Sequence, residues 1–109
     1  MKAAIFHPAA RAAIRSFPKG VRLELGKALF DLQMGAVLSM PISRPMPSVA
    51  SGVEELRFRD KEGTYRVLYY ARSAQGILVF HAFMKKTQST PKREIDLGAR
   101  RLKELFDEI

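Results

Sequence analysis

The chain has 109 residues, 47% of them apolar, and a formal charge of +8. That is enough for one domain with a real core and too little for two, and it excludes a chain disordered throughout. The absence of cysteine excludes disulfides, thiolate nucleophiles and cysteine-based zinc sites, while the basic balance favours a polyanionic partner such as nucleic acid or the ribosome.

Ala3–Phe6 is a short apolar run that reads as a brief strand or an extended lead-in. Pro8 suits the first turn of a helix, where a missing N–H costs nothing, so Ala9–Phe17 reads as a short helix stopped by Pro18. A longer helix is predicted from about Pro18 to Met34. Val21, Leu25, Ala28, Leu29 and Leu32 share one of its faces, with Arg22, Lys27 and Asp31 off it, and Gly35 stands at the expected C-terminal cap. Ala36–Gly52 carries Pro41, Pro45 and Pro47 and cannot be a regular helix. It reads as an ordered surface loop or, functionally, as a flap over a site, being longer than most loops in compact domains.

Three strands follow. Val53–Arg59 alternates, with Leu56 and Phe58 opposite Glu55, Arg57 and Arg59. Asp60–Gly63 is a hairpin turn, Thr64–Arg72 is rich in strand formers, and Ile77–Met84 follows the turn Ser73–Gly76 as a nearly continuous apolar strand. Thr90 and Pro91 open a last helix whose apolar face is Ile95, Ala99, Leu102, Leu105, Phe106 and Ile109. Arg100–Glu104 and Lys103–Asp107 are spaced for ion pairs on its solvent side. The order predicts an α+β fold, with a helical hairpin and a C-terminal helix packed on a small, mainly antiparallel sheet. The helices are expected on one sheet face, leaving the other open to a partner.

His7 and His81 are the only histidines and lack metal-ligand spacing, so no metal or cofactor is expected. No signal peptide and no run of roughly 20 apolar residues is present, which predicts a soluble, cytoplasmic protein.

The polar face of the three strands carries the candidate chemistry. If the faces coincide, Arg57, Arg66, His81 and Lys85 come together, with Arg59 nearby and Tyr70 and Phe83 as flat stacking surfaces. Cations with interleaved aromatics suit single-stranded RNA, since phosphates need charge and splayed bases need π-faces. Lys85, Lys86, Thr87, Gln88 and Thr90 then lead to Lys92 at a helix start, a composition that favours an anion. Attack of a 2′-OH on the adjacent phosphate needs a proton acceptor, a cation for the phosphorane and an acid for the leaving oxygen, and no metal. Arg66 is the first choice for the phosphorane, and Lys85 or Lys86 for proton transfer, with His81 the alternative. Glu55, beside Arg57, reads as a neutralising neighbour.

Gly52–Arg59, Tyr65–Tyr69 and Phe80–Pro91 together resemble the phage-derived HigB-like branch of the RelE/ParE toxin superfamily. The similarity extends over nearly the whole chain, including the Phe17-Pro18 break and the Pro47-Ser48 loop. It implies one toxin domain over residues 1–109, paired in a hetero-oligomer with an antitoxin of helix-turn-helix type. It also implies a metal-independent endoribonuclease that cuts mRNA on the ribosome. Arg66 matches the arginine of the family's "YR" strand, Arg57 a basic residue of the preceding strand, and Lys85 and Lys86 the basic end of the last strand. The chain departs from RelE at Glu55, where RelE has a lysine, and at Thr87, where RelE has an arginine. It also lacks the tyrosine of RelE's last helix. The alternative within the superfamily is a ParE-like inhibitor of DNA gyrase that acts by binding alone.

Overall fold

In the computed structural model, which describes residues 1–87 and 89–109, the elements run β1 (Ala4–Phe6), α1 (Pro8–Arg15), α2 (Lys19–Gln33), β2 (Ser43–Pro45), β3 (Val53–Asp60), β4 (Gly63–Ser73), β5 (Gly76–Lys85) and α3 (Lys92–Glu108). The strands form one five-stranded sheet in the order β1-β5-β4-β3-β2. β1 pairs with β5 in parallel, and every other pairing is antiparallel. This is the predicted α+β arrangement. Among the described residues, no helix is long and apolar enough to cross a membrane.

The local reasons are visible in the caps. His7 precedes Pro8 and accepts the Ala9 N–H on Nδ1 at 3.0 Å, closing the first turn of α1. The predicted stripe of α2, Val21, Leu25, Ala28, Leu29 and Leu32, is buried throughout. Gly35 takes φ +96° just past that helix and donates its N–H to the Leu32 carbonyl at 3.0 Å.

One expectation fails in an informative way. The helices do not share a sheet face. The α1–α2 hairpin packs on Leu56, Phe58, Tyr65, Val67, Tyr69, Ile77 and Val79. On the other face, Leu102 and Leu105 of α3 join Val53, Leu68, Leu78 and Phe80. Residues alternate faces along a strand, so the β4 run Tyr65–Tyr70 supplies apolar groups to both sides. The open face is therefore covered over part of its length, and among the described residues its end nearest the β3–β4 hairpin is left clear.

A β-bulge fixes where α3 lies. Leu68 pairs with His81 and Tyr69 with Val79, so Phe80 is the extra residue on β5. Phe80 and His81 both turn towards α3, which approaches them at Gly98. A Cβ at Gly98 would stand 2.8 Å from Leu68 Cδ1. Phe106 and Ile109, predicted for the apolar face, remain 45% exposed, and the Phe106 ring rests edge-on against Tyr70 at 5.4 Å.

The proline-rich segment is ordered by the sheet. Ser43–Pro45 adds a short edge strand to β3, and Met46 and Val49 are buried behind it. Proline is tolerated here because an edge strand leaves one side of its backbone unpaired.

Candidate functional site

The strand register brings the predicted cations into rows. Arg57 of β3 lies opposite Arg66 of β4, which lies opposite Phe83 of β5. One row further along, Arg59 faces Thr64, which faces Lys85. Arg57, Arg59 and Arg66 therefore share one side of the meander, whereas His81 and Phe83 of β5 are buried. At the uncovered end of that side is an open cleft of about 430 Å³. Arg57 and Arg66 line its inner part, Arg59–Thr64 of the hairpin forms one wall, and Lys86 and Thr87 form another.

Beneath the cleft is a buried ion cluster. Glu55 and Arg66 are each 0% exposed. Arg66 Nη1 donates to Glu55 Oε1 at 2.9 Å and to Thr90 Oγ1 at 3.3 Å, and its Nη2 donates to the Thr87 carbonyl at 3.3 Å. Arg44 of the edge strand donates from Nε to Glu55 Oε1 at 3.0 Å and from Nη2 to Thr90 Oγ1 at 3.4 Å. Thr90 donates to Glu55 Oε2 at 3.1 Å. Arg57 stands apart. Its Nε lies 4.0 Å from Glu55 Oε1, beyond hydrogen-bond reach, and is buried with no acceptor among the described residues. Burial, followed by repulsion from Arg44 and Arg66, pulls the Arg57 guanidinium below its ordinary pKa, against the attraction of Glu55.

Other predicted residues lie elsewhere. His81 is 2% exposed and sits between β5 and α3. Arg101 Nη1 is 2.7 Å from its Nδ1, and a guanidinium can only donate, so Nδ1 accepts. The proton is then on Nε2, which donates to Glu94 Oε1 at 2.7 Å. Both ring nitrogens are engaged, and His81 does not line the cleft. Phe83 is buried against the His81 ring at 5.3 Å, and Tyr70 packs on Phe106, so neither ring has the free flat face expected of it. Lys92 is paired with Asp96 at 2.7 Å on the surface of α3. Lys85 is half-buried in its pairing with Thr64, whereas Lys86 and Thr87 are exposed in the cleft. Gln88 lies outside the described residues.

Thr90 does not cap α3. Pro91 takes that position with no side-chain hydrogen bond, and the threonine hydroxyl is committed to Glu55 and its arginines. The predicted Arg100–Glu104 pair gives way to His7, whose Nε2–H donates to Glu104 at 2.8 Å, while Lys103–Asp107 forms at 3.1 Å. Arg44 is the participant the sequence did not expose, because three prolines made its segment read as a loop. The signal available was one alternating triplet, Ser43-Arg44-Pro45, whose middle residue pairs with Glu55.

A search of curated proteins finds no match to this chain. Among solved structures, the isolated RelE toxin of E. coli superposes with a TM-score of 0.56 at 17% identity, covering 96% of this chain and 99% of that one. The intact E. coli RelBE toxin–antitoxin complex contains a chain that superposes with a TM-score of 0.52 at 15% identity, over 80% of this chain and 100% of that one. At such identities the likeness speaks for the fold. The family model described as Phage derived protein Gp49-like (DUF891) matches residues 12–103. The chain thus belongs to the phage-derived Gp49-like family, and its fold is that of the RelE toxin.

Proposed function

We propose that residues 1–109 form one toxin domain of a type II toxin–antitoxin pair, and that it is a metal-independent endoribonuclease cutting mRNA on the ribosome. The observation that carries this reading is the cationic cleft, where Arg57, Arg59, Lys86 and Thr87 surround the end of a buried Arg66. Its positive lining suits a phosphodiester strand held by its backbone. In the reaction a 2′-OH gives up its proton and attacks the neighbouring phosphorus. The bond from phosphorus to the 5′ oxygen breaks, and that oxygen leaves with a proton, giving a 2′,3′-cyclic phosphate and a 5′-hydroxyl end. The cleft arginines stabilise the charge that develops on the phosphorane, and Lys86 serves proton transfer. The fold relatives support a partner too, since one of them is a toxin held in a toxin–antitoxin complex. An antitoxin of helix-turn-helix type is the partner this reading assigns, in a hetero-oligomer that keeps the toxin silent.

One observation favours a second reading. The Arg66 guanidinium donates to Glu55, Thr90 and the Thr87 carbonyl, and such a committed group is easier to reconcile with a binding surface than with catalysis. In that case the chain inhibits DNA gyrase by binding.

The test is induced expression of wild type, Arg57→Ala and Lys86→Ala, with growth scored and 5′ ends of cellular mRNA mapped. Arg66→Ala is a poor choice, because removing a buried charge partner destabilises the fold. The nuclease reading expects growth arrest with new in-frame mRNA ends that both variants lose. Growth arrest with DNA damage signalling and no new ends supports gyrase. Unimpaired growth on expression of wild type removes the toxin reading.

A further inference from the structure

We infer that Glu55 is a positioning residue that sorts the three arginines of the cleft, tying Arg44 and Arg66 into the scaffold and leaving Arg57 as the guanidinium that receives a phosphate. This deepens the reading of the cleft as a phosphodiester site and rests on it.

The sorting follows from geometry and charge. Glu55 has two carboxylate oxygens in a site closed to water. Oε1 accepts from both Arg66 and Arg44, and Oε2 accepts from Thr90. Arg66 and Arg44 also share Thr90 Oγ1, and Arg66 reaches the Thr87 carbonyl. These bonds lock two planar forks in place. Arg57 is the third guanidinium on the same carboxylate, yet it stops 4.0 Å short of it. Its Nε is shut off from water and has no acceptor among the described residues, and its neighbours are mainly cations. The Arg57 side chain is 17% exposed and lines the cleft, whereas that of Arg66 is 1% exposed, so Arg57 is the guanidinium that an incoming anion meets. One carboxylate among three arginines also leaves the cluster with surplus positive charge. Arg59, Lys61 and Lys86, which line the same cleft and outnumber its Asp60 and Glu62, extend that surplus towards a strand passing through.

The test follows the arginine Nε–H signals of the full chain by NMR while inorganic phosphate is titrated at constant ionic strength. Peaks are assigned by Arg57→Lys and Arg66→Lys. The expected result for wild type is a saturable shift of the Arg57 signal with Arg66 unmoved. Arg57→Ala should weaken phosphate binding by about ten-fold or more, the loss of one charge-assisted hydrogen bond. In Glu55→Gln the scaffold arginines lose their counter-charge, so the Arg66 signal should begin to respond to phosphate. A role confined to holding the fold together would not transfer the response from one arginine to another. The inference is overturned if Arg66 moves and Arg57 does not in wild type, or if nothing moves. It is also overturned if Arg66 stays silent in a folded Glu55→Gln protein. Should Glu55→Gln not fold, the wild-type titration and Arg57→Ala decide alone. The outcome is separable from the nuclease reading: an Arg57 response without mRNA cutting leaves the phosphate seat standing and removes the reaction.

Discussion

Arg66 and Glu55 meet at 2.9 Å in a place where neither side chain reaches water. A buried pair of this kind contributes modestly when complete and costs heavily when halved, because the survivor is an uncompensated charge. Glu55→Ala is expected to destabilise the chain by roughly 3–5 kcal/mol. Glu55→Leu combined with Arg66→Met should recover much of that loss. Urea unfolding of the three proteins checks the ordering, and a double variant weaker than Glu55→Ala would contradict it.

The His81 contact makes a pH dependence. Burial, the largest influence, pushes His81 below its ordinary value. The hydrogen bond to Glu94 opposes this, and the charges of Arg101 and His7 add to the depression. A depressed histidine binds fewer protons in the folded chain than in the unfolded one, so stability falls as the pH drops. The contribution is complete above the unfolded value and is lost from about pH 6.5 downward, through the lower folded value. Thermal unfolding between about pH 7.5 and 5.5 should show this slope, and His81→Gln should flatten it.

Gly76 and Gly26 should respond to alanine with opposite signs. At Gly76, φ is +141° and a Cβ would stand 2.3 Å from the Ala3 carbonyl oxygen, where β1 joins β5. Gly76→Ala is expected to cost about 2 kcal/mol or more. At Gly26, on the exposed side of α2, a Cβ meets nothing within 4 Å. Gly26→Ala is expected to stabilise by about 0.5–1 kcal/mol, since alanine loses less backbone freedom in a helix. Shifts of Tm in opposite directions are the readout.

The edge strand hangs on a buried hydroxyl chain. Ser43 Oγ and Tyr69 Oη are 2.7 Å apart, and Ser43 also donates to Glu54 Oε1 at 3.1 Å. Burial raises the Tyr69 phenol above its ordinary pKa, so it stays protonated and able to donate. Ser43→Ala strands that phenol and should cost about 1–3 kcal/mol. In combination with Tyr69→Phe the loss should be less than the sum of the single losses. Additive losses in a double-variant cycle would show that the two hydroxyls do not act together.

Local periodicity marks α2, β3 and β5 and the faces they present. The apolar stripe of α2, the alternation of β3 and the apolar run of β5 each depend on a local period, 3.6 or 2, and each appears where that period put it. The same alternation placed Arg57, Arg59 and Arg66 on one side of the meander. What the period cannot carry is the meeting of residues far apart in the chain. The Phe80 bulge, the approach of α3 at Gly98 and the pairing of Arg44 with Glu55 were all decided in three dimensions. They turned His81 from a candidate proton carrier into a clasp for α3. They also turned Thr90 from a helix cap into part of an arginine cluster. Glu55 has the same side chain in either account. Closed off from water among three guanidiniums, it becomes the group that settles which of them stays open to a ligand, because a carboxylate in such a place must be bonded by its neighbours.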